Sequence, residues 1–340
     1  MKKSFITIRI FLCFLFLATA CGDNFLDKNP QGQFSPAIMK SVEGVEGLLV
    51  GAYALLDGVG TSGVTDWHAG ASNWIYGSVV SDDAYKGSDA GDQPEITFME
   101  RYVWLPTNLH LYGKWRTVYD GVSRTNDVLK TLSEVVEIGD ERRVQIQAEA
   151  RFLRGHYHFE AKKMWGRIPY ISDEFWNPSD PASVLVPNTE DAWPKIEADF
   201  RFAADNLPET QSEPGRPTRF AALAYLAKCH MFQAFPGGQP DAAQLAKAKE
   251  LLDEIILNGG FTLVENFHDN FAVETRNNSE SIFEIQYSLT TADGSGGNLG
   301  DILNYMYPNG PGGCCGFFQP SQNLVNAYKT DGEGLPLLET

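Results

Sequence analysis

Positive charge is scarce in this chain. Its 340 residues hold 27 Lys and Arg against 44 Asp and Glu, for a net charge of −17. Nucleic-acid binding rests on Lys and Arg neutralising phosphates, so so acidic a surface excludes a nucleic-acid partner as an expectation. It also argues against electrostatic docking on an anionic leaflet. Cysteine is scarce as well: five residues, too few and too irregularly spaced for a disulfide framework. Beyond the first apolar run, no stretch of ~18 apolar residues follows, so no later segment reads as a membrane span. Two familiar motifs are missing. Gly294-Ser295-Gly296-Gly297 lacks the spacing of a dinucleotide loop, and no Gly-x-Ser-x-Gly elbow occurs. The sequence therefore assigns no catalytic residue and no cofactor.

What is present begins at the N-terminus. Lys2-Lys3 precede a mostly apolar run from Phe5 to Leu17, followed by Ala18-Thr19-Ala20-Cys21-Gly22. A charged start, a short apolar core and small residues before a cut mark a secretory signal, expected over residues 1–20. With Cys first in the mature chain, Cys21 becomes a candidate for lipidation, which would hold the protein on a membrane without crossing it. The aliphatic residue Leu17 stands four positions before Cys21, one more than the usual lipobox, and a plain cleaved signal is the alternative. Removing residues 1–20 takes away Lys2, Lys3 and Arg9 and no acid, leaving a mature charge of −20. Cys229 reads as a small core residue. Cys314 and Cys315 read as free thiols or as a strained vicinal disulfide.

Residues 21–40, rich in Gly, Pro, Asn and Gln, read as a tether. Apolar spacing predicts a helix over 41–57, carried by Val42, Val45, Leu48, Leu49, Ala52 and Leu56. Residues 58–105 are rich in Gly, Ser and Asp, with Trp67, Trp74, Tyr76, Tyr85, Tyr102 and Trp104 among them, and predict a long irregular excursion. Helices are expected at about 107–136, 140–165, 189–206, 217–235 and 241–258, punctuated by Pro and Gly. Residues 281–289 predict a short strand, residues 292–316 another long loop, and a last helix near Pro320.

The helix pairs carry a degenerate repeat. Trp115, Val118, Tyr119 and Val122 match the first-helix spacing of a tetratricopeptide unit, and Ala148, Phe152 and Gly155 match the second. Trp193, Ile196 and Phe200 repeat the first, and Ala222, Leu226 and Cys229 the second. Small residues let helices approach, and aromatic ones fill the space between pairs. Any antiparallel helical domain can also give such matches by chance. On these stripes Trp115, Trp165 and Trp193 read as core.

Three stretches then agree. They are Cys21-Gly22-Asp23-Asn24-Phe25-Leu26-Asp27, Ala148 to Gly155 running on to Trp165-Gly166-Arg167-Ile168-Pro169, and Arg216-Pro217-Thr218 leading into Ala221-Ala222-Leu223-Ala224. Together with Glu280 to Ile285 and Tyr328 to Gly332 they resemble the SusD/RagB family of outer-membrane nutrient-binding lipoproteins. The resemblance implies a mainly α fold: a tetratricopeptide-like helical-pair scaffold with long irregular loops and minor β structure. It implies an N-terminal helical region over 41–235 and the start of a C-terminal region over 236–340, incomplete because family members are longer. It further implies a lipid anchor in the outer membrane, an extracellular glycan or other nutrient as ligand, and a SusC-like TonB-dependent transporter as partner. Surface glycosidase activity and a protein-only scaffold remain the alternatives.

Glycan binding needs flat aromatic faces and polar groups for hydroxyls. The excursion and the later loop offer Trp74, Tyr76, Asp82, Asp83, Tyr85, Tyr305 and Tyr307 as candidate ligand contacts, with Lys86, Phe317 and Phe318 nearby. Each aromatic could instead be core, and each acid a solvated turn. Asp82-Asp83 are adjacent, whereas glycosidase carboxylates stand ~5–9 Å apart. His156 and Glu160 could share a metal, but an ordinary helix surface is the favoured reading, so no metal site is assigned.

Overall fold

The computed structural model describes residues 36–58, 68–87, 91, 93–287, 317–335 and 337. The scaffold is a run of helices, most of whose packing is between helices adjacent or nearly adjacent in sequence. After α1 (Pro36–Met39) come α2 (Val42–Tyr53), α3 (Pro94–Glu100), α4 (Leu109–Glu134) and α5 (Asp140–Trp165). Then follow α6 (Trp193–Asn206), α7 (Arg219–Gln233), α8 (Ala242–Asn258) and α9 (Gln322–Ala327). The helix starts are built locally. Ser41, Asn108, Thr218 and Asp241 each accept a backbone N–H of the first turn. Helix α5 instead places Asp140 and Glu141 in its first turn and Lys162 and Lys163 in its last, matching the helix dipole.

The repeat positions do what their sizes suggest. Val118, Val122, Ala148, Phe152, Ile196, Phe200, Ala222, Leu226 and Cys229 are all buried in one core. Phe152 meets Phe200, Tyr225 and Phe283 edge-to-face, with centroids 5.2–5.7 Å apart. A Cβ on Gly155 would stand 3.1 Å from the Phe200 ring, and one on Gly121 would stand 2.6 Å from that of Tyr157. These glycines set how closely α5 approaches α6 and α4. Trp115, Trp165 and Trp193 sit on the rim of this core, half-buried rather than enclosed.

The stretch from Ala148 to Gly155 also builds an ion network. Asp199 of α6 is fully buried and accepts from Arg154 at 2.7 and 2.9 Å, from Arg151 at 3.0 Å and from the Tyr170 hydroxyl at 2.5 Å. Burial pushes the Asp199 carboxyl up, but Arg154 and its neighbours outweigh this and hold it below the usual range. Glu149, also fully buried, accepts from Tyr53 at 2.7 Å, Arg142 at 3.0 Å and Arg216 at 2.7 Å. The Arg216-Pro217-Thr218 stretch is thereby bonded directly to the α5 stretch. Charges this deep persist only when paired and hydrogen-bonded.

Several expectations are corrected. The last residues of the expected tether form α1, which packs on α2. The excursion contains a π-turn (Ile75–Val79), the two-residue strand β1 (Ala84–Tyr85) and α3. Residues 281–287 form no strand; Ile282, Phe283 and Ile285 pack into the helical core, and no strand among the described residues lies beside them. β1 pairs instead with β2 (Gln319–Pro320), antiparallel, with Ala84 opposite Pro320. His156, His158 and Glu160 are not on a helix surface. All three are buried, because α5 is enclosed on more than one side. Cys21, Tyr305, Tyr307, Cys314 and Cys315 lie outside the described residues.

Candidate functional site

The excursion folds as a small module with its own core. Trp74, Ile75, Val79, Ala84, Ile96, Met99 and Phe317 form an apolar cluster separate from the main one. Trp74 is only 3% exposed. Its ring meets Phe318 at 5.8 Å and Phe317 at 6.3 Å. The expectation that Trp74 offers a stacking face is therefore corrected: an indole this apolar is drawn under the two phenylalanines. Tyr76 is half-buried and donates its hydroxyl to the backbone carbonyls of His68 and His110, at 2.6 and 2.9 Å. Asp82, Asp83 and Tyr85 are exposed, on the turn that β2 pins. Ser321 closes this pin, its N–H donating to the Asp83 carbonyl at 2.9 Å and its hydroxyl to that of Asp82.

The open aromatic surface lies next to this core, at the junction of α3 and α4. Tyr102 is 63% exposed and Trp104 43% exposed, with ring centroids 5.8 Å apart. The Tyr102 hydroxyl donates to the Val80 carbonyl at 2.6 Å, which fixes the ring against the π-turn. Trp104, Pro106, Leu111, Tyr112, Trp115 and Trp165 line an open cleft of about 340 Å³. Inside it Trp115 and Trp165 meet edge-to-face at 4.9 Å, and Tyr112 lies at the rim under the Arg116 guanidinium. Asn108 anchors the junction: its amide caps α4 and donates to the Glu95 carbonyl of α3 at 2.8 Å. On the far side of Trp115, a second cleft of about 300 Å³ is lined by Tyr119, Asp120, Ser123, Trp176 and apolar neighbours.

The backbone of this region is strained. Asn73, Asp82, Gln93, Tyr102 and Phe318 all have positive φ without being glycine. Such conformations cost ~1–3 kcal/mol each and concentrate at binding sites. A Tyr at φ 56° in particular aims its ring where a helical or extended backbone would not. In the sequence, Tyr102 and Trp104 stand only as two of the aromatics scattered through the excursion. The signal was the apolar run Tyr102-Val103-Trp104-Leu105, which has no helical or strand period to bury it.

The chain belongs to the SusD-like family: residues 24–231 match the family model described as "Starch-binding associating with outer membrane". A SusD-like protein of Bacteroides ovatus is 27% identical over 285 residues, covering 80% of this chain and 48% of that one. A SusD-like protein of Formosa agariphila is 23% identical over 289 residues, covering 84% of this chain and 53% of its own. The chain thus spans about half the length of the curated relatives it matches. Among solved structures, surface glycan-binding protein A from Bacteroides thetaiotaomicron superposes with a TM-score of 0.68 at 24% identity, over 86% of this chain and 61% of that one. The same protein in complex with laminarihexaose gives a TM-score of 0.64 at 22% identity, over 85% and 61%. The tetratricopeptide-like, mainly helical fold expected from the motifs is the fold of these proteins.

Proposed function

We propose that this chain is the helical part of a surface glycan-binding lipoprotein, which captures an oligosaccharide without chemistry and passes it to a SusC-like TonB-dependent transporter. The observation that carries the reading is the cleft of about 340 Å³ walled by Trp104, Tyr112, Trp115 and Trp165 beside exposed Tyr102. Sugar rings stack on such faces, which bring large contact area with little loss of side-chain freedom. Exposed apolar surface of this kind marks an interaction site. Family membership and the laminarihexaose complex of a structural neighbour support a glycan as ligand. Asp82, Asp83 and Tyr85 supply polar contacts at the edge of the module, and Tyr305 and Tyr307 remain candidates from the later loop. Lipidation at Cys21 holds the protein at the outer membrane, facing outward.

The test is calorimetric titration of the full chain with laminarihexaose and xylogluco-oligosaccharide, followed by checking that each sugar is intact. Trp104→Ala should weaken binding at least tenfold, about 1.4 kcal/mol. Unchanged affinity would remove the cleft as the site, and cleaved sugar would replace capture with hydrolysis.

A further inference from the structure

The aromatic surface does not end at Trp115. That ring lines both the platform's cleft of about 340 Å³ and the second one of about 300 Å³. On α4 the wall common to both is a single stripe: Tyr112, Trp115, Tyr119 and Ser123. Residues three and four apart lie on one face of a helix. From Tyr112 to Ser123 this face covers ~16 Å of helix axis.

The opposite wall climbs in step with it. Trp165, at the end of α5, meets Trp115 edge-to-face at 4.9 Å. One turn on, the Tyr119 hydroxyl donates to the Pro169 carbonyl at 2.8 Å. Further along, the Asn126 amide donates to the Ile171 carbonyl at 2.9 Å. The Trp176 indole N–H then donates to Asp127 at 2.6 Å, and Lys130 donates to the Trp176 carbonyl. Residues 165–176 therefore run beside α4 from position 115 to position 130, and the two clefts follow one another along the seam. Tyr119 and Trp176 are held by their own hydrogen bonds, so little side-chain freedom is left to lose when a ligand arrives.

The second cleft differs from the first in chemistry. Trp104, Pro106, Leu111, Tyr112, Trp115 and Trp165 give the first neither a carboxylate nor an aliphatic hydroxyl. The second adds Asp120 and Ser123. Asp120 is the one charged residue in its lining among the described residues, and Arg124 pairs with it at 3.1 and 3.2 Å, so the cleft calls for no charged ligand. Ser123 donates its hydroxyl proton to the Asp120 carbonyl at 2.9 Å and keeps its oxygen to accept. An aromatic wall beside a hydroxyl acceptor suits a sugar, which offers a flat face and O–H donors together.

We propose that the ligand is a linear, uncharged oligosaccharide that lies along α4 and fills both clefts, with Trp176 and Ser123 selecting for chain length. This rests on the capture reading above: the sugar that stacks at Trp104 continues past Trp115. A disaccharide is too short to occupy both clefts and gains only the first.

The experiment is calorimetric titration of the full chain with long and short sugars of one linkage: laminarihexaose against laminaribiose, and xylogluco-oligosaccharide against cellobiose. At least one long sugar should bind more than tenfold tighter than its disaccharide. Trp176→Ala should lower the long sugar's affinity at least tenfold and leave that of the disaccharide unchanged, a difference that general damage to the fold would not produce. Ser123→Ala, a change on a helix that favours alanine, should lower the long sugar's affinity about threefold or more. Trp104→Ala should weaken both sugars. Equal affinity for long and short sugars would overturn the proposal and leave capture at the platform standing. So would unaltered long-sugar binding in Trp176→Ala and Ser123→Ala, or an equal loss for both lengths in Trp176→Ala. If neither long sugar binds the unaltered chain, the capture reading falls and this one with it.

Discussion

Asp199→Asn should destabilise the fold by about 3–5 kcal/mol, the range for removing one partner from a buried ion pair. The geometry leaves the amide no good orientation. Oδ1 accepts from Arg154 Nη2 and Arg151 Nε, and Oδ2 from Arg154 Nε and the Tyr170 hydroxyl. Whichever way the amide turns, its NH₂ faces two donors, and the buried Arg154 loses its main counter-charge. A chain of this size has roughly 5–15 kcal/mol to lose, so the change is a large share. Urea unfolding followed by circular dichroism reads it directly, as a fall in midpoint of about 1–2 M if m is near 3 kcal/mol/M. Tyr170→Phe removes a single hydrogen bond and should lose about 1.5–3 kcal/mol, keeping a scale if Asp199→Asn does not fold. The pH dependence adds a second check. The Asp199 carboxyl is held below its ordinary value, so its contribution is complete above that value and is lost as pH falls through the lower folded one. Wild-type stability should therefore carry an acid-limb contribution that Asp199→Asn lacks. A loss under ~1 kcal/mol, with identical acid limbs, would refute the network as a source of stability.

Gly121→Val should cost about 1–3 kcal/mol by driving a side chain into the Tyr157 ring, read as a lowered urea midpoint. Trp74→Ala should lower stability by about 3–5 kcal/mol as a buried indole is deleted, and a lost affinity without lost stability would contradict its place in the core. His110, His156 and His158 are buried and pushed down to about 3, 4 and 3, so they stay neutral while unfolded histidines charge. Stability should accordingly fall as pH drops from about 6.5 towards 4, the unfolded state taking up close to three more protons at pH ~5; a flat profile there would contradict their burial. Cys21→Ala should release the expressed protein from membranes, and continued membrane association would remove the lipid anchor from the proposal.

The long helices were legible because apolar spacing and the punctuating Pro and Gly residues are independent signals, whereas the short α1 and α3 were not. The α5 boundaries follow from Asp140 and Glu141 at one end and Gly166 and Pro169 at the other, with apolar stripes between. The burial of His156, His158 and Glu160 was not legible, since polar residues on a helix read as outward unless their partners are known. Their partners, Tyr225, Ile171 and Lys114, all lie outside α5. The 281–287 segment has strand-like composition, but composition does not supply a pairing edge. In the excursion, aromatic content alone does not say which rings are buried and which are exposed. Trp74 and Trp104 look alike in sequence; what separates them is that Phe317 and Phe318, more than two hundred positions later, cover only the former.

That late cover has a consequence for how the protein assembles. The module around Trp74 is made of two pieces that meet only when residues 317–327 return to pair with residues 74–85. Bringing together ends so far apart in the chain has to be offset by contacts made after the helices are in place. The helical scaffold can therefore form first and the module close on it last, as a buckle closes on a strap already laid out. The opening energy of that buckle would set how readily Tyr102, held against its back by the Val80 carbonyl, and its neighbour Trp104 keep their bearing. Loosening Ser321 or Phe317 would then blur the platform without touching any ring that lines its cleft.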